Sequence, residues 1–480
     1  MESKLEKYFI EAAGKKNEDF VSDNPYRIIG FDGPNRRMGW VKKIPFQRLK
    51  EILESLFPVI NDKENFIFVG MGGSVNGIKP LFSVVNKRGY YTLDNLDPKA
   101  FLSLVSEIKD LDKTLVIPIS KSGTTKETQL LAKSLKVLFS KSLGEQKWKN
   151  NFLWMSDPGS FEKLDSLGWS GVKKVAIQLD DDDDIGGRFS CPHTLIFLLP
   201  LFLSLDRDFE ALENIYVSFQ SLQNKIRDRA YSLCENYEKN KNAYFSPIIG
   251  DEFGESFSSW IVQLFQESLG SKDDKLSVKT LINIQNNDLF SEILLGIAIE
   301  SKMVLLMSQM YFFQVFVAYY AALKEINFVD QGYVEQYKKE MGLLEGQNSK
   351  DNAGLSKKIE EIINEVKQNI NSNQKFIEIV LYFYPSIETI KFLNDKFEKE
   401  FNDKIVLLFI GSDWNHHSYQ AAFAAKDTFY VLLTLDTFNT DIDIVPKEIF
   451  EKNIETLNLI TRATYLTIKD KAVYCSLNLD

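Results

Sequence analysis

The chain has 480 residues, with 57 Lys or Arg against 67 Asp or Glu, so its formal net charge is −10. Hydrophobic residues make up 44% and charged residues 26%, a globular composition that excludes a disordered or fibrous chain. The length predicts about two to four domains, and the negative charge argues against a nucleic-acid partner. The three cysteines are too few for a disulfide framework, which favours a reducing, cytoplasmic setting.

Short apolar runs of strand length alternate along the chain with stretches of helical period. We predict strands at 65–70, 114–120, 151–156, 172–179, 246–250, 376–384, 404–411 and 429–435. Helices are predicted between them, at 44–57, 126–138, 209–238 and 355–370. This alternation predicts an α/β fold of βαβ units with largely parallel sheets, in which ligands bind at the carboxyl ends of the strands.

The run between Lys302 and Lys324 contains no charged residue and is long enough to cross a bilayer. It carries Ser308, Gln309 and Gln314, and we interpret it as a buried helix of a large domain. The N-terminus alternates charged with apolar residues and lacks the apolar core of a signal peptide. We therefore expect no membrane partner.

A polar, glycine-rich stretch at 342–354 separates two predicted helices and indicates a domain boundary. We predict an N-terminal extension with a first α/β unit in residues 1–210. A second unit is expected in 211–342, and a C-terminal α/β region in 343–480.

The first candidate binding loop, FVGMGGSVNG at 68–77, follows a predicted strand and precedes a helix. Gly70, Gly72 and Gly73 permit a tight turn with exposed N–H groups, and the helix start favours an anion. A dinucleotide fingerprint needs glycine where Val75 stands, so a nicotinamide enzyme using Asp94 is a minor alternative. A purely structural turn explains this loop equally well.

The second candidate loop, ISKSGTTKET at 119–128, also joins a strand to a helix. It presents five hydroxyls around Lys121 and Gly123, from Ser120, Ser122, Thr124, Thr125 and Thr128. Hydroxyls and free N–H groups at a helix start can surround the oxygens of a phosphomonoester. We prefer phosphate binding to the alternative of a simple N-cap.

The two loops together, GMGGS and SKSGTTKET, resemble the sugar-isomerase (SIS) domain, and IGGRFS is similar to the GGRFS signature of the glucose-6-phosphate isomerase family. The segments WIVQLFQESLGS, INFVDQGYVEQYKKEM and IGSDWNHHSYQ resemble three further motifs of that family. The resemblance runs from about residue 25 to 435, and the arrangement is similar to the isomerase part of bacterial transaldolase–isomerase fusions. It implies an αβα sandwich with two parallel-sheet SIS subdomains and a C-terminal α/β segment.

The resemblance implies a reversible, cofactor-free interconversion of glucose 6-phosphate and fructose 6-phosphate through ring opening and a cis-enediol(ate). Such a reaction needs a carboxylate base beside C1 and C2, and Glu267 is the candidate. Arg188 fits the cation that must face the developing oxyanion. The family resemblance assigns ring opening to His416 and Lys338. Substrate contacts are expected from Gly73, Ser74, Ser120, Lys121, Ser122, Thr125, Thr128, Gly187, Gln263 and Gln331.

No metal site is expected. The only histidines are His193, His416 and His417, and the adjacent pair lacks the i,i+4 spacing of a helical metal site. The five consecutive aspartates at 180–184 are interpreted as a solvated loop, which offsets at most the charge of Arg188.

Glu267 and His416 lie 149 positions apart, whereas in most family members the histidine follows the glutamate by a few tens of residues. Because family members are typically dimers with shared sites, we predict a homodimer whose pocket takes Glu267 from one chain and His416 from the other. Two alternatives stay open: an isomerase of another phosphosugar, such as mannose 6-phosphate, and a non-catalytic SIS protein that senses sugar phosphates.

Overall fold

The computed structural model describes residues 30–32, 35–240, 244–247, 249, 253–270, 279–281, 297, 299–329, 332–345, 354–440 and 444–478. Within these ranges, parallel strands alternate with helices, so the predicted α/β fold is confirmed.

The first parallel sheet follows a short hairpin of β1 (Phe31–Asp32) and β2 (Asn35–Arg36). Its strands are β3 (Asn65–Val69), β4 (Tyr90–Leu93), β5 (Thr114–Pro118), β6 (Leu153–Ser156) and β7 (Lys173–Ala176). The strands β4, β3 and β5 pair in that order, and β6 pairs with β7. Isolated parallel bridges from Val116 to Phe152 and from Ile119 to Met155 join β5 to β6. The carboxyl ends of these strands therefore lie along one edge.

The second parallel sheet lies near the C-terminus of the chain. Its strands are β8 (Leu355–Lys357), β9 (Phe376–Leu381), β10 (Ile405–Ile410), β11 (Thr428–Leu435) and β12 (Ala472–Leu477), in the order β10-β9-β11-β12-β8. This placement differs from our expectation of a second sheet within 211–342. The strand predicted at 246–250 is represented only by an isolated bridge between Phe245 and Thr280, and residues 248 and 250 lie outside the described part of the chain.

Helices cover both faces of the sheets. The first seven are α1 (Phe46–Ile60), α2 (Lys79–Val85), α3 (Pro98–Glu107), α4 (Lys126–Leu143), α5 (Phe161–Leu164), α6 (Leu195–Ser204) and α7 (Phe209–Asn240). They are followed by α8 (Gly254–Leu269), α9 (Lys302–Leu323), α10 (Val334–Leu344), α11 (Ile359–Asn369), α12 (Ile387–Glu400), α13 (Tyr419–Ala424) and α14 (Lys447–Ile468). The predicted helix 355–370 thus begins only at Ile359, because Leu355–Lys357 pairs with β12.

The uncharged run forms α9, the one described helix long and apolar enough to cross a membrane. Its most apolar window is 83% buried inside the protein. The ring of Tyr319 meets Tyr231 of α7 at a centroid distance of 4.6 Å, and Phe313 meets Phe265 of α8 at 5.9 Å. The helix therefore packs as a core helix between α7 and α8.

The two sheets share one apolar cluster, and strand β3 contributes to it with one of its faces. Ile67 and Val69 of β3 belong to this shared cluster. Phe66 and Phe68, on the opposite face of β3, belong to the cluster that contains α9. The shared cluster also contains Leu432 of β11 and other residues of the second sheet. Because the sheets are joined in this way, loops separated by hundreds of residues meet beside α8.

Candidate active site

The first glycine loop packs directly against the turn that carries Arg188. Gly73 has no room for a side chain, since a Cβ there would lie 2.3 Å from the carbonyl carbon of Gly187 and 2.5 Å from the nitrogen of Arg188. Gly187–Phe189 forms a short 3-10 turn against the Gly72–Ser74 turn. This close backbone approach places the arginine at the mouth of the loop.

Arg188 and Glu267 form a buried ion pair, with side chains only 2% and 7% exposed. Nη1 of Arg188 donates to Oε1 of Glu267 at 2.8 Å, and Nε donates to Oγ of Ser268 at 2.7 Å. Nη2 donates to the carbonyl oxygen of Phe328. Burial raises the pKa of Glu267, and the arginine only partly offsets this effect. The pair thus combines a strengthened carboxylate base with a fixed cation beside it.

Gln263 lies one turn before Glu267 on α8, and the two side chains share a face as predicted. Nε2 of Gln263 donates to Oε2 of Glu267 at 2.9 Å. Its Oε1 accepts a hydrogen bond of 3.1 Å from Nδ2 of Asn76, near the end of the glycine loop. Both oxygens of the Glu267 carboxylate are therefore oriented by side-chain donors.

His416 is bound to a buried carboxylate that the sequence did not single out. Its Nε2 lies 2.8 Å from Oε1 of Glu127, in the first turn of α4. Burial disfavours the imidazolium, but the negative charge of Glu127 outweighs burial and raises the pKa of His416. Burial likewise favours neutral Glu127, yet the charge of His416 holds the pKa of Glu127 below its usual value. The pair is stabilised in its charged form.

The structure brings Glu267 and His416 near each other within one chain, whereas the sequence predicted that they come from different chains. At Gly72, where φ is +53°, a Cβ would lie 2.9 Å from Cβ of His416 and 3.2 Å from Nε2 of Gln263. The charge of His416 also acts on the pKa of Glu267. Both residues approach one pocket within a single chain because the C-terminal sheet shares a core with the first sheet.

Lys338 lies at the edge of this group. Its ammonium donates to Oε1 of Glu335 at 2.9 Å on α10, and its side chain is 48% exposed. Its positive charge lowers the pKa of both Glu127 and His416, so it stands within electrostatic reach of the pair. Gln331 lies outside the described residues.

The hydroxyl side chains of the second loop contact one another in pairs. Oγ of Ser120 and Oγ1 of Thr125 lie 3.0 Å apart, and Oγ of Ser122 lies 2.9 Å from Oγ1 of Thr124. Thr125 occupies the N-cap position of α4, although its side chain makes no capping bond. The hydroxyl of Thr128 is buried without a hydrogen-bond partner among the described residues. The loop thus keeps its hydroxyls close to a helix start, the geometry expected of an anion cradle.

Lys121 faces the acidic segment. Its ammonium donates to the carbonyl oxygens of Asp183, at 3.2 Å, and Ile185, and lies 3.6 Å from a carboxylate oxygen of Asp157. Burial lowers the pKa of Lys121 and raises that of Asp157 to about 6. The lysine therefore joins the hydroxyl loop to the segment that precedes Arg188.

The five aspartates are largely exposed, as a solvated loop predicts, but their side chains are paired. Alternate carboxylates converge on the ammonium of Lys42, at 3.0 Å for Asp180, 3.1 Å for Asp182 and 2.7 Å for Asp184. Asp181 pairs with Arg48 at 2.6 Å. The suggestion that the aspartates offset the charge of Arg188 is not supported, since the partners found for them are other cations.

The structure separates the two adjacent histidines by environment. His417 lies 3.6 Å from Asp413, and burial lowers the pKa of His417 to about 4. Together with Asn76 and Lys79, His417 lines a cavity of about 500 Å³. His416 alone is bound to Glu127, so it is the histidine suited to proton transfer near neutral pH.

Sequence reasoning missed the residues that hold the loops together. Asp413 accepts a hydrogen bond from the nitrogen of Gly72 at 2.7 Å and another from Nδ2 of Asn76 at 2.8 Å. No local motif marks this contact between residues 341 positions apart. Glu127 stood within the hydroxyl-loop motif, where its acidity in the first turn of α4 was a usable signal.

An open cavity of about 750 Å³ lies beside Arg188. Its lining includes Arg188, Gly187, Lys121, Ser122 and Glu335. The volume is within the range of small-molecule sites. The cavity can therefore receive an anionic polyol beside Lys121, Ser122 and Arg188.

The chain is similar in sequence to curated glucose-6-phosphate isomerases. The chain is 32% identical over 234 residues to the glucose-6-phosphate isomerase of Campylobacter jejuni, and the alignment covers 46% of this chain and 54% of that protein. The Thermus thermophilus enzyme is 31% identical over 253 residues, covering 50% and 57%. The Listeria monocytogenes enzyme is 28% identical over 294 residues, covering 56% and 61%. The chain thus spans little more than half the length of these relatives.

Solved structures agree on the fold. A glucose-6-phosphate isomerase from Chlamydia trachomatis superposes with a TM-score of 0.52 at 16% identity, covering 71% of this chain and 84% of that one. The hypothetical protein TT0462 from Thermus thermophilus gives a TM-score of 0.50 at 20% identity, covering 71% and 95%. No family model matches the chain. The predicted resemblance to glucose-6-phosphate isomerases is confirmed.

Proposed function

We propose that the protein is a glucose-6-phosphate isomerase, which interconverts D-glucose 6-phosphate and D-fructose 6-phosphate through ring opening and a cis-enediol(ate). The observation that carries this proposal is the buried Arg188–Glu267 pair at 2.8 Å, with Gln263 on the second carboxylate oxygen. The curated relatives named glucose-6-phosphate isomerase support the same activity.

The proton moves between C2 and C1 by way of Glu267. Its carboxylate removes the proton from one carbon and returns it to the other, and its raised pKa suits this exchange. Negative charge develops on the enediolate oxygens during this step. The guanidinium of Arg188 lies beside the carboxylate and stabilises that charge without reorganising.

Ring opening precedes this transfer and needs an acid and a base at the ring oxygen and the C1 hydroxyl. His416, kept cationic by Glu127, supplies the proton to the ring oxygen. The proton of the hydroxyl on the anomeric carbon passes to solvent water, and Lys338 lies within electrostatic reach of the His416–Glu127 pair. The phosphate is bound by the loop of Ser120, Ser122 and Thr125, at the start of α4.

We place the protein in the cytoplasm, in glycolysis and gluconeogenesis. We also propose a homodimer, as the resemblance implies, in which each pocket is complete within one chain. This arrangement follows from the approach of His416 and Gln263 to the same glycine, Gly72.

The proposal is tested with purified protein and fructose 6-phosphate, with glucose 6-phosphate read as NADPH from added glucose-6-phosphate dehydrogenase. We expect turnover that survives EDTA, because each step above uses side chains of the chain. A requirement for a divalent ion would reject this mechanism. Binding of fructose 6-phosphate without any turnover would instead favour a sensing protein, and formation of mannose 6-phosphate alone would favour the other isomerase.

A further inference from the structure

A second buried ion pair lies behind the turn that carries His416. Lys279 and Glu378 are 2% and 1% exposed, and the ammonium of Lys279 donates to Oε1 of Glu378. The ammonium also lies 5.4 Å from the ring centroid of Phe376 and 5.8 Å from that of Tyr430. Glu378 points from the middle of β9 toward the cluster shared by the two sheets. Apolar side chains of similar volume would fill this space at no loss of stability. Stability therefore does not explain why an ion pair is buried here.

The second oxygen of Glu378 reaches the histidine turn. Its Oε2 accepts a hydrogen bond of 3.3 Å from Nε1 of Trp414, whose side chain is fully buried. Trp414 is the second residue of the 3-10 turn Asp413–His416. The ion pair therefore acts on this turn through a single indole N–H.

Every side chain of that turn is tied to a different part of the fold. Asp413 is hydrogen-bonded to the nitrogen of Gly72 at 2.7 Å, and Trp414 to Glu378 at 3.3 Å. Asn415 is hydrogen-bonded to Tyr382 at 2.7 Å, and His416 to Glu127 at 2.8 Å. A turn of four residues fixed at each position holds its last imidazole in one place. The Trp414–Glu378 and Asn415–Tyr382 bonds are buried, and an indole N–H left without a partner there would lower stability.

We propose that Lys279 and Glu378 are positioning residues that hold His416 in place for ring opening, acting through Trp414. Lys279 fixes the charge and orientation of Glu378, and Glu378 fixes the indole two residues before the histidine. This inference rests on the proposed isomerase function. It assigns the pair to ring opening, since Arg188 is held by Glu267, Ser268 and the carbonyl oxygen of Phe328 rather than by the turn.

The assignment separates two substrates. Fructose 6-phosphate is mostly a ring, which His416 must open. 5-Deoxyfructose 6-phosphate has no hydroxyl on C5, and its O6 carries the phosphate, so it stays an open-chain ketose. It needs the proton transfer by Glu267 but no ring opening, and its conversion can be followed by proton NMR.

The first variant is Trp414→Phe, which keeps an aromatic ring and removes the N–H. We expect kcat for fructose 6-phosphate to fall about 10- to 100-fold, because a misplacement of about 1 Å can cost a factor of about 100. Turnover of the open-chain ketose should stay within about twofold of wild type. The double variant Lys279→Met/Glu378→Leu should give the same pattern if it folds, and Trp414→Phe decides the question if it does not.

The matched control is Thr434→Val, which removes another buried hydrogen bond of the same sheet, 2.9 Å from Thr434 to Ser476. The Thr434→Val variant should turn over both substrates at the wild-type rate. A second test adds Trp414→Phe to His416→Ala, where no further loss is expected if the tryptophan acts only through the histidine. Equal losses on both substrates, or losses that multiply with His416→Ala, would overturn the proposal. A wild-type protein inactive on both substrates would instead reject the isomerase function itself.

Discussion

Gly73→Ala is the sharpest steric perturbation of the site. The new Cβ would lie 2.3 Å from the carbonyl carbon of Gly187 and 2.5 Å from the nitrogen of Arg188, where ordinary contact begins at 3.4 Å. Both neighbours are backbone atoms that cannot rotate away, so the two loops must separate by about 1 Å. A shift of this size in a catalytic group costs about 100-fold in turnover. The overpacking should also lower the free energy of unfolding by about 1–3 kcal/mol.

The measurement for Gly73→Ala is kcat and KM in the coupled assay, with a thermal unfolding curve recorded on the same sample. Gly342→Ala is the control, because a Cβ at that position has no atom within 4 Å. It makes the same chemical change without contact, and wild-type turnover is expected. If Gly73→Ala keeps wild-type turnover while remaining folded, the contact between these two loops does not position Arg188.

Three further outcomes are expected. Replacing Ser120 and Thr125 by Ala should raise KM for substrate and weaken binding of free phosphate, whereas lower kcat at unchanged KM would show that this loop does not hold the phosphate. The raised pKa of His416 gives stability that is fully present below its unfolded pKa of about 6.5 and is lost as pH rises through the folded pKa. Glu127→Gln should remove that dependence from melting curves across this window, and an unchanged curve would contradict the pairing. Glu267→Gln and His416→Ala chains that are refolded together should stay inactive, because in our proposal each pocket is built from one chain. Recovery of about a quarter of wild-type activity would instead show that the site is shared between chains.

The parts of the site that follow strands and carry local motifs were predictable from sequence. Glu267 and Gln263 share a helical face at a spacing that sequence alone fixes, and the structure bonds them at 2.9 Å. The carboxylate of Asp413 and its bond to Gly72 could not be foreseen, because the contact joins residues from the two sheets. Glu127 was visible as an acidic residue in a helical first turn, but its partner His416 lies 289 positions away.

In the fold, too, elements with a local sequence signal were predictable and elements defined by distant contacts were not. Strands such as Phe376–Leu381 stood out as apolar runs, and the uncharged run 303–323 was correctly interpreted as a buried helix. The strand Leu355–Lys357 was missed because its residues are largely exposed and it is defined only by pairing with β12. The aspartates at 180–184 are largely exposed as predicted, but nothing local indicates that three of them pair with Lys42.

The central claim is that Glu267 carries the proton between C1 and C2, and isotope exchange tests it most directly. Fructose 6-phosphate is converted in D2O and the product is examined by proton NMR for deuterium at C2. We expect deuterium there with the wild-type protein, because a carboxylate exchanges its proton with solvent. Glu267→Gln should slow both conversion and exchange by about 10²- to 10⁴-fold, while Glu255→Gln, an exposed position on the same helix, leaves both unchanged. A Glu267→Gln protein with near-normal conversion would contradict the account.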